Sequence, residues 1–331
     1  MKKSSSAIPE RLRPFLRIGT CSWKYDSWKG LIYDAGKSYR PDDYLGDYAR
    51  RLNSVEVDQW FWSLFPGSIR LPEPRVVRRY AESVPDDFVF TVKAPNALTL
   101  THFYAKKEAG TGEFAGKPNG MFLNIGLLEK FLDRLSPLDK KLGPIMFQFE
   151  YLNRQKMASK EAFFEAFGAF IEKAPKGFAY ALETRNPNYL SSALFDFLKE
   201  RRVGFVYLDG YYMPPIGEVF DKFAAAPTRS SLTTESSAAP GLSVPTESPV
   251  PATFNIIRLH GGDRKEIEKE TGERWDKIVA PKPAALQAAA RITVENIRKK
   301  IVTYVNVNNH FEGSAPLTID RFLKTLADER G

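Results

Sequence analysis

"TYVNVNNHFEGSAP", Thr303 to Pro316, opens as an alternating apolar strand and closes on two asparagines, a histidine and a glycine. A strand that runs into a polar turn is commonplace, and Gly313 suits a break before a helix. The stretch means more if other strands end in the same way. A ring of strands that all deliver polar side chains at one end is a barrel with a working face.

The pattern recurs along the chain. Short β-branched or aromatic runs occur at RIGTCSW (17–23), SVEVDQWFW (54–62), FVFTVKAP (88–95), GPIMFQFE (143–150), AYALETRN (179–186), VGFVYLDG (203–210), FNIIRLHG (254–261) and VTYVNVNN (302–309). Helix-like stretches with charged faces separate them, among them LLEKFLDRL, SKEAFFEAFGAFIEKA and AALQAAARITVENIRKK. Eight strands alternating with helices predict an α/β fold, a single (β/α)8 TIM-type barrel with parallel strands. An open doubly wound sheet would want a glycine-rich turn after its first strand, and GTCSWKYDSW has no such spacing. The barrel is assigned to residues 17–331, behind an N-terminal tail of residues 1–16. Residues 225–252 are rich in Ser, Thr and Pro with few large apolar groups, and are expected to form a mobile insertion.

Composition narrows the classes. Of 331 residues, 43% are hydrophobic and 13% aromatic, enough for a large core. One cysteine rules out an internal disulfide, and MKKSSSAIPERLRPF has no apolar run of leader length, so a cytoplasmic location is expected. No stretch reaches the roughly 18–20 apolar residues of a membrane span, and no membrane partner is expected. A net charge of +8 favours anionic partners, either a small anionic ligand or nucleic acid. Nothing in the sequence sets an oligomeric state.

Strand parity then picks out candidate site residues, because alternate side chains share a face. Val55 and Val57 face the helices, which turns Glu56 and Asp58 inward. The same count turns inward Thr91 and Lys93; Gln148 and Glu150; Glu183 and Arg185; Tyr207 and Asp209; Arg258 and His260; and Asn306, Asn308 and His310. A purely structural interior would be filled with branched aliphatics, so this polar set points to a site at the C-terminal strand ends. In the alternative, Arg185 and Arg258 merely neutralise Glu183, Glu56 or Asp209 in a closed network. All five tryptophans, Trp23 and Trp60 among them, fall at strand ends or in the loops beyond, where they could stack a sugar or base or simply fill gaps.

The motifs GTCSW, VEVDQWFW, FTVKAP with a following TH, GPIMFQFE, ALETRNPNY, IIRLHGG and YVNVNNHFEGSAP together resemble the domain of unknown function 72 family. The resemblance spans the chain from about Ile18 to the last helix. It implies a TIM-type barrel, with Glu56, Lys93, His102, Gln148, Glu183, Arg185, His260, Asn308, Asn309 and His310 at signature positions, and it implies no reaction.

Several chemistries compete for these residues. A metal set of Glu183, His260 and His310, as in a metal-dependent phosphoesterase, would face repulsion from Lys93, Arg185 and Arg258. Glu150 and Glu183 could form a glycosidase pair, although Arg258 and His260 stand where many barrel glycosidases carry a carboxylate. The reading favoured here needs no metal or cofactor. A hydrolase or lyase would act by acid and base chemistry on a phosphorylated or nucleotide-like ring-bearing ligand. Glu183 would be the base and His310 or His260 the acid, with Glu56 also in the catalytic group. Lys93 and Arg258 would clamp the anion, and Gln148, Arg185, Asp209, Asn308, Asn309, Trp23 and Trp60 would hold the ligand. The alternative from another class is a non-catalytic nucleic-acid binder using the same basic, aromatic face.

Overall fold

The computed structural model describes residues 8–105, 112–223 and 254–329, so the insertion at 225–252 lies outside the described residues. The strands are β1 (Leu16–Thr20), β2 (Ser54–Val57), β3 (Leu64–Phe65), β4 (Ser68–Ile69), β5 (Val89–Lys93), β6 (Leu142–Gln148), β7 (Tyr180–Glu183), β8 (Gly204–Gly210), β9 (Phe254–Gly261) and β10 (Val302–Val307). β3 and β4 form a small antiparallel hairpin, and the other eight make one parallel sheet in the order β1-β10-β9-β8-β7-β6-β5-β2. The helices are α1 (Asp43–Tyr48), α2 (Pro74–Glu82), α3 (Asn96–Thr99), α4 (Ile125–Leu135), α5 (Lys160–Lys173), α6 (Ser192–Glu200), α7 (Ile216–Phe223), α8 (Arg264–Thr271), α9 (Pro283–Arg298), α10 (Asn309–Glu312) and α11 (Ala315–Asp328). One or two helices follow each barrel strand, which is the (β/α)8 arrangement. Residues 8–15, assigned from sequence to the tail, tuck Ile8 and Leu12 into the core.

Local chemistry sets the helix boundaries. Asn124, Ser159, Ser191 and Asp263 cap α4, α5, α6 and α8, each side chain accepting from a backbone N–H of the first turn. α4 then buries Leu127, Leu128, Phe131, Leu132 and Leu135, a stripe at helical spacing that faces the strands.

β1 and β2 close the ring by an unusual route. Their backbones share a single bridge, Cys21 to Glu56, with the Ser22 N–H donating to the Glu56 carbonyl at 3.1 Å. Below it, side chains take over the ladder. Asn53 accepts from the Ile18 N–H and donates to the Leu16 carbonyl, both at 2.9 Å, while the Tyr48 hydroxyl accepts from the Thr20 N–H and donates to the Ser54 carbonyl. The strands approach so closely that a Cβ on Gly19 would collide with the Ser54 carbonyl.

Inside the barrel, the lower layer is apolar. Val89, Met146, Ala181, Val206, Phe254, Ile256, Val302 and Tyr304 pack together as a cluster separate from the larger one between sheet and helices. Parallel register then carries Thr91, Gln148, Glu183, Arg258 and Asn306 into the layer above. β8 corrects the sequence parity. Val206 faces the interior, and Tyr207 and Asp209 pair with Ile257 and Leu259 on the outer face, where Tyr207 packs on Phe220 of α7. Parallel strands covered on both faces are apolar on both sides, so a polar residue there does not announce its direction.

Candidate active site

The polar layer is organised around Arg258, which is 1% exposed. Its guanidinium grips Glu56 bidentately, with Nε to Oε2 at 2.8 Å and Nη2 to Oε1 at 2.7 Å. Nη1 donates to Glu183 Oε2 and, at 3.4 Å, to Gln148 Oε1, while Nη2 reaches the Cys21 sulfur at 3.9 Å. The Asn306 amide donates to the same Glu56 Oε2 and to the Thr91 hydroxyl. Every branch of the guanidinium is therefore engaged by protein, and Arg258 is the closed-network cation weighed above rather than a clamp for a ligand.

The same network fixes the protonation of its members. Burial pushes the Glu183 carboxyl up, but Arg258, Arg185 and Lys93 together outweigh it and hold the group below the usual carboxylate range. A carboxylate so stabilised is a weak base, which weighs against the base role expected of Glu183. Burial and Glu56 raise the Cys21 thiol well above its ordinary value, which leaves it un-ionised.

Three side chains above this layer are less committed. Lys93, at the end of β5, is 9% exposed, and its Nζ sits 4.0 Å from the centre of the Phe61 ring. It enters no ion pair or hydrogen bond among the described residues. Burial and Arg258 lower its pKa, against the pull of Glu56, Glu183 and Asp58. Asp58, the first residue past the end of β2, is near enough for its charge to act on Lys93. Burial and Glu56 raise the Asp58 carboxyl, so it retains a proton to higher pH than an exposed aspartate. His260, at the end of β9, is driven well below the imidazole range by burial and by Arg258, Arg185 and Lys93, and is neutral at neutral pH. A neutral imidazole there is a proton acceptor, not the acid expected from the sequence.

Tyr211 joins this group and was not foreseen. It adopts φ 54°, a conformation rarely held by a residue with a Cβ, directly after Gly210. Its ring meets the Arg185 guanidinium at 3.9 Å and the His260 ring at 4.9 Å. Arg185 also lies 3.5 Å from Glu183. Trp62, Tyr151, Tyr211 and Tyr212 are the exposed large apolar side chains among the described residues, and all four follow barrel strands. Trp62 is 58% exposed and Tyr212 is 95% exposed, so the mouth carries an aromatic rim. The available signal was GYYMPP, two tyrosines between a strand-ending glycine and a proline pair.

Other expected site residues lie elsewhere. Trp23, 1% exposed, meets the edge of Tyr80, and Trp60 stacks on the same ring, so neither is a platform for a ligand. Asp209 lies on the outer face of β8, where burial raises its carboxyl against the charge of Lys282, the residue before α9. Asn308 caps α10 by accepting from the His310 N–H, and Asn309 accepts from the Ala315 N–H. Glu312, fully buried, accepts from the Lys282 N–H and the Thr318 hydroxyl. Much of the opening motif is thus a knot that fastens α9, α10 and α11, with Gly313 turning the chain at φ 106°. His310 points away from Glu56. Its Nδ1 bonds Asn308 at 2.6 Å, its Nε2 faces Glu268 of α8 at 3.3 Å, and its ring abuts Trp275. His102 bonds Thr101 in the loop after α3. Glu150 pairs with Lys156 at 2.6 Å. Among the described residues no three His, Cys, Asp or Glu side chains gather as a metal-binding group; Glu183 belongs to Arg258, and His310 to Glu268.

Comparison with known proteins agrees with this architecture. UPF0759 protein YecE of Escherichia coli K12 is 26% identical over 263 residues, 78% of each chain. The crystal structure of a DUF72 family protein from Thermotoga maritima superposes with a TM-score of 0.58 at 21% identity, covering 95% of this chain and 99% of that one. A DUF72 family protein from Enterococcus faecalis gives 0.58 at 20% identity, covering 94% and 95%. The model of the family described as "Protein of unknown function DUF72" matches residues 17–331, and with that span of match the chain belongs to the DUF72 family.

Proposed function

We propose that the protein is an enzyme working at the C-terminal mouth of its barrel on a small anionic, ring-bearing ligand, by acid and base chemistry that uses the chain's own side chains. One observation carries this reading. The interior cation Arg258 is saturated by Glu56 and Glu183, while among the described residues Lys93 and Asp58 enter no ion pair and His260 has the Tyr211 hydroxyl at 3.5 Å, and all three have pKa values displaced toward their uncharged forms. Purely structural networks pair their charges; sites keep groups with displaced pKa values available. Arg185 supplies a fixed positive charge for the anion, and Tyr211, Tyr212, Trp62 and Tyr151 supply ring faces at the rim. Glu183 and Glu56 hold Arg258, Gln148 braces it, and His260, uncharged although weakened as a base by burial and the same cations, is the group left to take up a proton.

Thermal melts with phosphorylated sugars, nucleotides and a random oligonucleotide, each at low and high salt, test the reading. Saturable protection by a small anion, lost in Arg185→Ala, supports it. Protection by the oligonucleotide alone, vanishing with salt, would instead favour the nucleic-acid binder that the net charge of +8 allows.

A further inference from the structure

We propose that Lys93 captures the carbonyl group of its substrate as a Schiff base, which makes the substrate an aldehyde or ketone bearing an anionic group. This rests on the reading of the mouth as a small-ligand site. The argument starts from placement. Among the described residues this amine is buried at the end of a barrel strand, roofed by the Phe61 ring and in no ion pair. Lys24, Lys117, Lys222 and Lys282 also lie over rings without an ion pair, and burial is what sets Lys93 apart from them. A lysine desolvated beside a second cation is the known physical recipe for an uncharged, nucleophilic amine, and Arg258 is that second cation.

Asp58 completes the chemistry. The Lys93 Nζ lone pair attacks the carbonyl carbon, forming the C–N bond while the carbonyl π electrons move to oxygen, and one amine proton shifts to that oxygen. The carbinolamine so formed then loses its hydroxyl as water, taking the proton from the Asp58 carboxyl, as the nitrogen lone pair closes the C=N bond. The step draws on the uncharged forms toward which both groups are shifted, and it leaves an iminium cation beside a carboxylate. The site's net charge is unchanged, which matters where burial penalises any uncompensated charge. The cation so created is an electron sink for breaking a bond next to the former carbonyl carbon, and His260 is the neutral base at hand to accept a proton there.

Reductive trapping tests this on the intact wild-type protein. Pyridoxal phosphate serves as the probe, being an aldehyde with a ring and a phosphate. It is added below stoichiometric amounts at neutral pH with cyanoborohydride, followed by peptide mass mapping. The expected result is that most label sits on the peptide containing Lys93, with a mass gain equal to the probe less one oxygen atom, and that excess inorganic phosphate reduces it. Lys93→Met should lose that label and keep a wild-type melt, while Asp58→Asn should slow labelling without moving its position. Label spread over exposed lysines with none on Lys93 overturns the proposal even if Lys93→Met fails to fold, because the wild-type map decides. If small anions still protect the protein in melts, the ligand site stands and only the Schiff base falls; if they do not, both fall.

Discussion

The barrel interior holds two cations on neighbouring levels, and they live under opposite terms. Arg258 has a partner for each branch of its guanidinium, and burial has been matched by two carboxylates. Lys93 has an aromatic ring and no carboxylate in contact. Desolvation pulls both groups down, but Glu183 and Glu56 outweigh it and raise Arg258 well above its ordinary pKa, whereas Lys93 stays lowered. The lesson is that burial alone does not make a charged residue functional. What distinguishes the two is whether the neighbours complete its bonding.

The comparison can be broken most forcefully at Arg258. Arg258→Met should cost about 3–5 kcal/mol in a denaturant melt, since it strands Glu56 and Glu183 in a dry interior. Pairing it with Glu56→Gln and Glu183→Gln should recover part of the loss, and no recovery would mean that the cluster is not acting as one electrostatic unit. One level down, Ile256→Ala in the apolar layer should cost about 2–4 kcal/mol through the cavity it leaves. A smaller loss than for Arg258→Met is required if the polar layer is the more brittle of the two.

A third way to sharpen the contrast is pH. Burial holds both His260 and His310 below the imidazole range, aided by Arg258 at the first and opposed by Glu268 at the second. The folded state thus binds fewer protons than the unfolded chain, and stability present above that range falls as the pH drops through it. Glu183, held low by its cations, adds a further loss below the carboxylate range, while Asp58 and Asp209, raised by burial, act in the opposite sense. Melting temperature followed from neutral to mildly acidic buffer should fall, and His260→Gln should flatten the slope; an unchanged slope would show that His260 is not the buried neutral group described. The smallest effect is expected at the rim. Trp62→Ser and Tyr212→Ser should each stay within about 0.5 kcal/mol of wild type in stability while weakening any ring-bearing ligand. A marked drop in stability would mean that these rings are structural.

How far the sequence could be read follows from the same physics. The eight strands were legible because their apolar runs alternate with capped helices. Glu56, Gln148, Glu183 and Arg258 could be turned inward by counting alternate residues. The count failed at β8, where both faces are apolar and Asp209 answers to Lys282, more than seventy residues away and invisible to local pattern. It failed again past the strand ends. Asn308, Asn309 and His310 looked like a continuation of β10, but Asn308 starts a helical turn, and parity has no meaning once the chain leaves the sheet. The tryptophans illustrate the limit of composition: Trp23 and Trp60 are drawn under the loops by Tyr80, while Tyr211 and Tyr212, signalled only by the turn residues of GYYMPP, stand at the rim.

The seam between β1 and β2 has a kinetic meaning. The other junctions of the cylinder are paired by backbone at two or more positions, whereas the amide protons of Ile18 and Thr20 are guarded by one asparagine and one tyrosine side chain. Two side-chain rotations suffice to unlatch them. Deuterium should therefore enter at Ile18 and Thr20 through a shallow local opening, well before it reaches Val305 or Ile257 in the adjoining strands β10 and β9. The ring behaves like a clasped bracelet, rigid around most of its circumference and able to part at one point without unfolding.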